Sequence, residues 1–336
     1  MPSSTSAPGI WKIKEISNFI QDNSWPSIGD RACFAGGDID SYSNVIDFVQ
    51  ISSDGNATDF GDLTVARQIG AQNVASNVRG CFGGGYGPAA EVDTIDYITI
   101  KTTGNATDFG NLLGDAYANA GASNSTRGLF TGQNTPAGWN NIIEFITIAT
   151  TGNSTDFGDA TTTDQQRGAC ANTTRLVFAG GNQNPSGTPG DPRPSTNVMD
   201  YVTIASTGNA TDFGDLTVAR DNSSGAGSAT RALFGGGGTG TRPTRPPTDT
   251  IDYITIASTG NATDFGNLTG DTTLQGQGTN KIRALFSGGQ GAAPSYTKQN
   301  KIDKVTIAST GNATDFGDLT VTRRGIGSAN NYHGGI

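Results

Sequence analysis

The sequence predicts an all-β fold built from one strand-rich unit that recurs along the chain. The phrase Thr207-Gly-Asn-Ala-Thr-Asp-Phe-Gly214 occurs in six near-copies, whose phenylalanines lie 48 to 56 residues apart. Segments such as Ile251-Asp-Tyr-Ile-Thr-Ile256 alternate and are rich in β-branched and aromatic residues, which is typical of half-buried strands. No unit has a helical period. A repeat of this length indicates a solenoid, a propeller or an array of domains. The phenylalanines are Phe60, Phe109, Phe157, Phe213, Phe265 and Phe316.

Each unit contains four short pieces, which are clearest in the fifth copy. The first is a stretch of small residues, Gly225-Ala-Gly-Ser-Ala-Thr230, and the second is Arg231-Ala-Leu-Phe-Gly-Gly-Gly237. The third is the alternating segment at 251–256, which a tight turn at Thr259-Gly-Asn261 connects to the fourth piece, Ala262-Thr-Asp-Phe-Gly-Asn-Leu268. The unit is therefore predicted to form a four-stranded antiparallel sheet.

The pattern of the unit resembles the kelch repeat. The shared features are a Gly-Gly pair after an apolar strand, an aromatic residue in the fourth strand and the arginine of Leu216-Thr-Val-Ala-Arg220. The aromatic is Phe where the family usually has Trp, and Gln133 replaces the second glycine in one copy. The resemblance covers nearly the whole chain. It implies a kelch-like β-propeller, in which each unit is one blade, and implies nothing about activity.

The chain ends determine the predicted number of blades. The segment from Arg323 to Ile336 repeats the first two strands of a unit, while Ile10-Trp-Lys-Ile13 and Asn18-Phe19 have the spacing of the last two. We therefore predict a seven-bladed propeller whose seventh blade is closed by N- and C-terminal strands, which leaves no open sheet edge. A six-bladed ring with loose ends is the alternative. Residues 1–8 are predicted to be an extension and residues 9–336 a single propeller domain.

Composition limits the classes of partner. The net charge of -9 argues against nucleic acid or an anionic membrane surface as the main partner. No stretch approaches the roughly 20 apolar residues of a membrane span, and the start lacks the pattern of a secretory signal, so we expect synthesis in a host cytoplasm without membrane insertion. Cys33 and Cys81 stand where other copies have Leu or Val and are predicted to be core residues.

Repeated polar residues are predicted to be structural, so no metal or cofactor is expected. The acids of the third strand and of the Asp-Phe-Gly phrase recur in every copy and are expected to accept backbone N–H groups and to pair with repeated arginines. Each Asn of the phrase is expected to take a left-handed turn conformation and to bond its own backbone rather than carry a glycan. The single histidine, His333, aligns with a packing residue. No catalytic residue is predicted, and the chain is expected not to be an enzyme.

The copies differ most in one connection per blade, between the glycine pair and the third strand. All six connections are expected on one face, because each leaves the same end of its blade. They hold the aromatic and cationic side chains that dominate binding interfaces. These predicted binding residues are Tyr42, Tyr86, Trp139, Arg193, Arg242, Arg245, Tyr296 and Lys298.

The functional hypothesis is a non-catalytic structural and recognition protein. The repeat resembles that of propeller proteins of marine tailed phages that infect cyanobacteria, which implies a location in the virion, with other virion proteins or a host glycan as partners. One alternative is a propeller-type carbohydrate-active enzyme, whose acids would be unique to single blades. Its candidate acids are Asp38, Asp40, Glu91, Asp191 and Asp249. The other alternative is an intracellular kelch-like adaptor.

Overall fold

The structure, a computed structural model, describes residues 30–70, 72–117, 120–132, 134–135, 138–184, 192–241 and 245–332. Within them the secondary structure consists of strands, which form a β-propeller of six four-stranded antiparallel blades. From the innermost to the outermost strand, blade 1 comprises Gly327–Asn330, Arg31–Ala35, Val45–Gln50 and Thr58–Asp62; blade 2 comprises Gln72–Ala75, Arg79–Tyr86, Glu91–Thr99 and Thr107–Ala116; blade 3 comprises Ala120–Ser123, Arg127–Thr131, Ile142–Thr147 and Thr155–Asp159.

The other three blades follow the same order along the chain. Blade 4 comprises Gly168–Ala171, Arg175–Asn182, Ser195–Thr203 and Thr211–Asp215; blade 5 comprises Ser224–Gly227, Arg231–Gly235, Thr248–Thr255 and Thr263–Thr272; blade 6 comprises Gly276–Thr279, Arg283–Ser287, Lys301–Thr306 and Thr314–Asp318. Four two-residue strands lie outside the blades and pair as Asn134–Thr135 with Gly138–Trp139, and Arg220–Asp221 with Gly238–Thr239.

The prediction of seven blades is wrong, and the six-bladed alternative is correct. The described part of the C-terminal segment supplies one strand, Gly327–Asn330, which pairs with Arg31–Ala35 and completes blade 1 rather than beginning a seventh blade. The first unit of the chain enters the ring at its second strand, so the last segment fills the vacant innermost position. The extension predicted at 1–8, the strands predicted at 10–13 and 18–19, and His333 lie outside the described residues.

Hydrophobic packing lies between blades and is continuous around the ring. Six core clusters each combine side chains from two neighbouring blades, and one of them joins blade 6 to blade 1. In that cluster Phe34 and Ile51 of blade 1 contact Ile302 and Phe316 of blade 6. The seam that closes the ring therefore has the same apolar core as the five contiguous junctions. Cys33 and Cys81 are buried in these cores as predicted, and burial raises the pKa of each thiol to about 12.

The repeated phrase joins each blade to the one before it. In blade 2 the Gly104 amide donates to the Phe60 carbonyl, the Ala106 amide donates to the Asp62 carbonyl, and Asn105 Oδ1 accepts from the Asp62 amide at 3.1 Å. The same three bonds occur at all six junctions. The prediction that each Asn bonds its own turn is wrong, because its side chain satisfies a donor on the neighbouring blade.

The glycine of Asp-Phe-Gly is required by this close contact between blades. A Cβ atom on Gly61 would lie 2.5 Å from the carbonyl carbon and oxygen of Gly104, and the other five copies have equivalent contacts. The backbone of Gly61 also has φ of +144°, which L side chains rarely adopt. By contrast, Gly104 has nothing within 4 Å of its added Cβ.

Two sets of arginines add further connections. The arginine that opens each second strand donates from Nη1 to a carbonyl of the next blade, as Arg79 does to Ile148 at 2.9 Å. The second set is fully buried and ion-pairs with the third-strand acid of the next blade; these pairs are Arg67 with Asp96, Arg167 with Asp200, Arg220 with Asp252 and Arg323 with Asp47. The predicted pairing of the third-strand acids with repeated arginines is thus confirmed at four junctions.

The remaining two junctions have other partners for the acid. Glu144 of blade 3 accepts from the Ser154 hydroxyl and from the Leu113 amide, because Ala116 stands at the sequence position of Arg67. Asp303 of blade 6 lies 3.4 Å from Lys301. Burial raises the pKa of Glu144, although its two hydrogen-bond donors lower it.

Candidate functional site on the loop face

The connections between second and third strands open on one face of the ring, here called the loop face, and the Thr-Gly-Asn turns lie on the opposite turn face. Adjacent loops contact one another on the loop face. Pro194 of blade 4 pairs with Thr241 of blade 5, and Lys298 of blade 6 bonds Asp38 of blade 1. The prediction that these loops gather on one face is therefore confirmed for the loops that the structure describes.

The innermost strands pack closely around the axis of the ring. A Cβ added to Gly225 of blade 5 would lie 2.2 Å from the Ala169 carbonyl oxygen of blade 4, so these two strands are in direct contact. At the loop face, the Asn222 amide donates to the Gln166 carbonyl and the Gly325 amide to the Leu274 carbonyl. Two small cavities remain near the axis; Gly225 and Ala169 are among the residues that line one, and Gln166 and Asn222 among those that line the other. The aromatic and cationic side chains lie on the loops around the axis.

Two predicted tyrosines form a row with a third. The Tyr42 and Tyr86 ring centroids are 5.8 Å apart, and those of Tyr86 and Tyr117 are 5.6 Å apart. All three side chains are half-buried. Burial raises the pKa of the Tyr42 hydroxyl, and Tyr86 and Asp38 add to this effect. The row thus spans blades 1 and 2.

A second group combines Trp139, Arg193 and Arg245 from three successive loops. The Arg193 guanidinium lies 4.9 Å above the Trp139 ring, a cation–π geometry. Arg245 forms an ion pair with Asp221 and donates to Gln166 Oε1 at 3.2 Å. Burial and, to a smaller extent, the charge of Arg193 lower the pKa of Arg245 to about 10, and Tyr117 opposes the change.

The two groups are neighbours, because Gln166, which accepts a hydrogen bond from Arg245, lines the same small cavity as Tyr117. Lys298 extends the arrangement on the other side, since its Nζ lies 2.7 Å from Asp38 Oδ1 and 2.6 Å from Asp40 Oδ1. We call the resulting set the loop-face strip. It comprises Lys298, Asp38, Tyr42, Tyr86, Tyr117, Arg245, Arg193 and Trp139.

The predicted binding residue Tyr296 does not join the strip and is 52% exposed. Arg242 lies outside the described residues.

Sequence reasoning missed Tyr117, Gln166 and Asp221. They lie in connections between an outermost strand and the innermost strand of the next blade, which open on the same face. The sequence contained a signal for two of them, because each differs from the aligned residue of another copy: Tyr117 aligns with Gln68, and Gln166 aligns with Asn222.

The acids of the enzyme alternative are already paired or scattered. Partial burial raises the pKa of Asp38, but hydrogen bonds from Lys298, the Asp40 amide and Arg324 outweigh it and hold the pKa below its ordinary value. Glu91 and Asp249 lie in other blades, and Asp191 is outside the described residues. Among the described residues there is no group of three or more His, Cys, Asp or Glu side chains that could hold a metal ion.

No helix in the described part of the chain is long and apolar enough to cross a membrane. A scan against protein-family models gives no match, and a search of the curated proteins gives none either.

Proposed function

We propose that this chain is a non-catalytic structural and recognition protein, a propeller held in a larger assembly that contacts its partner through the loop-face strip. The observation that carries the proposal is that side chains from successive non-repeated loops join into one strip, whereas the repeated side chains join blade to blade. A strip that combines tyrosine, tryptophan and arginine has the composition of binding hot spots.

The contacts within the strip support a binding role because they order its side chains before a partner arrives. Arg193 is stacked on Trp139, and Lys298 is tied to two carboxylates. Each long side chain that is already ordered avoids about 0.5–1.5 kcal/mol of entropy loss on association. Aromatic faces beside amide and guanidinium donors suit either a protein surface or a glycan.

The likeness of the repeat to tailed-phage propellers supports a place in a virion, near the tail fibre, with a role in host attachment. Mass spectrometry of purified particles from the source tests this location. We expect the chain to co-purify with the particles at a fixed stoichiometry. Its absence from every particle and large assembly would refute the location.

The loop face is tested with matched variants. Purified protein is applied to a glycan array and to particles that lack it, and Tyr86→Ala with Trp139→Ala is compared with Lys101→Ala and Thr150→Ala, two exposed sites of the turn face. We expect at least tenfold weaker binding for the first pair and no change for the second, with equal thermal unfolding. Equal loss from both pairs would overturn the choice of face. Release of sugar from the array would instead support the enzyme alternative.

A further inference from the structure

Five blades contain the same three-part stack between blades, close to the turn face. The arginine that opens the second strand lies over an aromatic ring of the third strand, and the edge of that ring meets the phenylalanine of the repeated phrase. In blade 5 the Arg231 guanidinium is 4.4 Å from the Tyr253 ring centroid. The ring centroids of Tyr253 and Phe265 are 6.0 Å apart, and the planes of the two rings form an angle of 77°. The rings are Phe48, Tyr97, Phe145, Tyr201 and Tyr253.

Blade 6 keeps both ends of this stack and lacks the ring. Its third strand has Lys304 at the aromatic position, and Lys304 forms an ion pair with Asp54 of blade 1. Arg283 also pairs with Asp54, at 2.9 Å, and Phe316 retains its place in the core. Both substitutions are confined to this junction, because every other blade has Thr at the position of Asp54.

A hollow that is open to solvent lies beside Lys304. Its volume is about 570 Å³ including the solvent at its mouth, and it is lined by Arg283, Lys304, Thr306, Asn312 and Thr314 among others. In register, Lys304 pairs with Thr314 and Arg283 with Thr306, as Tyr253 pairs with Thr263 and Arg231 with Thr255. The hollow therefore lies over the position that a ring fills in five blades.

We propose that this hollow, the blade 6 slot, binds a phenylalanine or tyrosine side chain of a partner protein in the assembly. The five complete stacks show which group packs against the arginine at this position: a flat aromatic ring, which is a phenol in three of them. Asp54 neutralises one of the two cations beside the slot, so the slot is a poorer site for an anion than for a ring with a negative face. The proposal deepens the proposed function, on which it rests, by naming an attachment point away from the loop face.

The slot is tested on the isolated protein with N-acetyl-tyrosinamide as the probe. Backbone amide NMR shifts are followed during titration, with N-acetyl-leucinamide and methyl glucoside as comparators. We expect millimolar binding of the tyrosine probe, with shifts at Thr306 and Thr314, and binding at least tenfold weaker for both comparators. Tighter binding of methyl glucoside, or shifts confined to other blades, would overturn the proposal.

Two variants make the test specific. Lys304→Tyr with Asp54→Thr gives blade 6 the residues of its neighbours, so it should fold normally and lose at least tenfold in affinity for the probe. Tyr97→Lys with Thr151→Asp removes the ring of blade 2 in the same way and should add a second site. Unchanged binding by the first variant would refute the slot even if the second failed to fold. Because the loop-face test uses other residues, failure of the slot leaves that test intact.

Discussion

Asp96 and Glu144 occupy the same position in neighbouring blades but have different partners, so Asp96→Asn and Glu144→Gln are expected to differ in cost. Asp96 is the counterion of Arg67, whose side chain is fully buried and also donates to the carbonyls of Gly84 and Phe82. None of the described arginines pairs with Glu144, whose partners are a hydroxyl and a backbone amide.

The expected magnitudes follow from burial. Removal of one partner from a buried ion pair leaves an uncompensated charge and costs about 3–5 kcal/mol. At about 2.1 cal/mol/K per residue, the unfolding entropy of this 336-residue chain is about 0.7 kcal/mol/K. Asp96→Asn is therefore expected to lower Tm by about 4–7 °C. Because Glu144→Gln removes only a poorly solvated charge, it should change the free energy of unfolding by about 1 kcal/mol or less.

Differential scanning calorimetry and urea unfolding at pH 7 measure both quantities. The urea m-value must match that of the parent, so that a shift in midpoint reports stability alone. Equal destabilisation by the two variants would refute the reasoning, because the acid would then act as a hydrogen-bond acceptor whatever its partner. A milder effect of Asp96→Asn than of Glu144→Gln would refute it as well.

Three further predictions concern pH, salt and backbone contact. Burial raises the pKa of Glu144 in the folded state. The contribution of Glu144 to stability is therefore present below the ordinary glutamate pKa and is lost as pH rises through the folded-state pKa. Glu144→Gln should flatten this part of the curve of unfolding free energy against pH, measured by urea titration. Lys298 and Arg324 hold the pKa of Asp38 low, so the contribution of Asp38 to stability is present above the ordinary aspartate pKa and is lost as pH falls. Asp38→Asn should lower the free energy of unfolding by about 1 kcal/mol at low salt and by less at 1 M NaCl. An effect that grows with salt would contradict the ion-pair interpretation. Both Gly61 and Gly104 have positive φ, but a Cβ atom would collide with a neighbouring backbone only at Gly61. Gly104→Ala should therefore cost about 1–2 kcal/mol in chemical unfolding assays and Gly61→Ala clearly more; equal costs would show that the close approach is unimportant.

The repeat made the strands and the propeller fold predictable, whereas the chain ends led to a wrong number of blades. The strand positions and the length of a blade follow from a local pattern that occurs six times, so a copy with an ambiguous pattern can be interpreted from the other five. The number of blades depends on which strand Gly327–Asn330 pairs with, and that choice is a contact between residues nearly 300 positions apart. A segment with the spacing of half a unit fits a seventh blade and an incomplete first blade equally well, and only the ring geometry distinguishes them.

The sequence predicted several residues of the candidate site from their type and loop position, but it did not predict the contacts between them. Loop length and composition selected Tyr86, Trp139 and Arg193, which do lie on the loop face. Their neighbours Tyr117 and Asp221 were missed because they follow repeated strands, where a difference between copies is easily interpreted as a neutral substitution. The role of Asn105 was also misjudged, since a bond to the preceding blade leaves no local signal in the turn.

Departures from the repeat can be sorted by whether a second departure at the same junction compensates them. Glu144 stands where other blades have Asp, and Ser154, which stands where they have Ala, supplies its hydrogen bond. Lys304 and Asp54 likewise balance each other in charge, but no second change at this junction supplies another aromatic ring. The aromatic copies stack under an arginine and meet a phenylalanine at the ring edge, and a lysine has no ring with which to make either contact. The uncompensated loss of the ring at the closing seam therefore sets blade 6 apart from the other five blades and makes it the place to look for a partner.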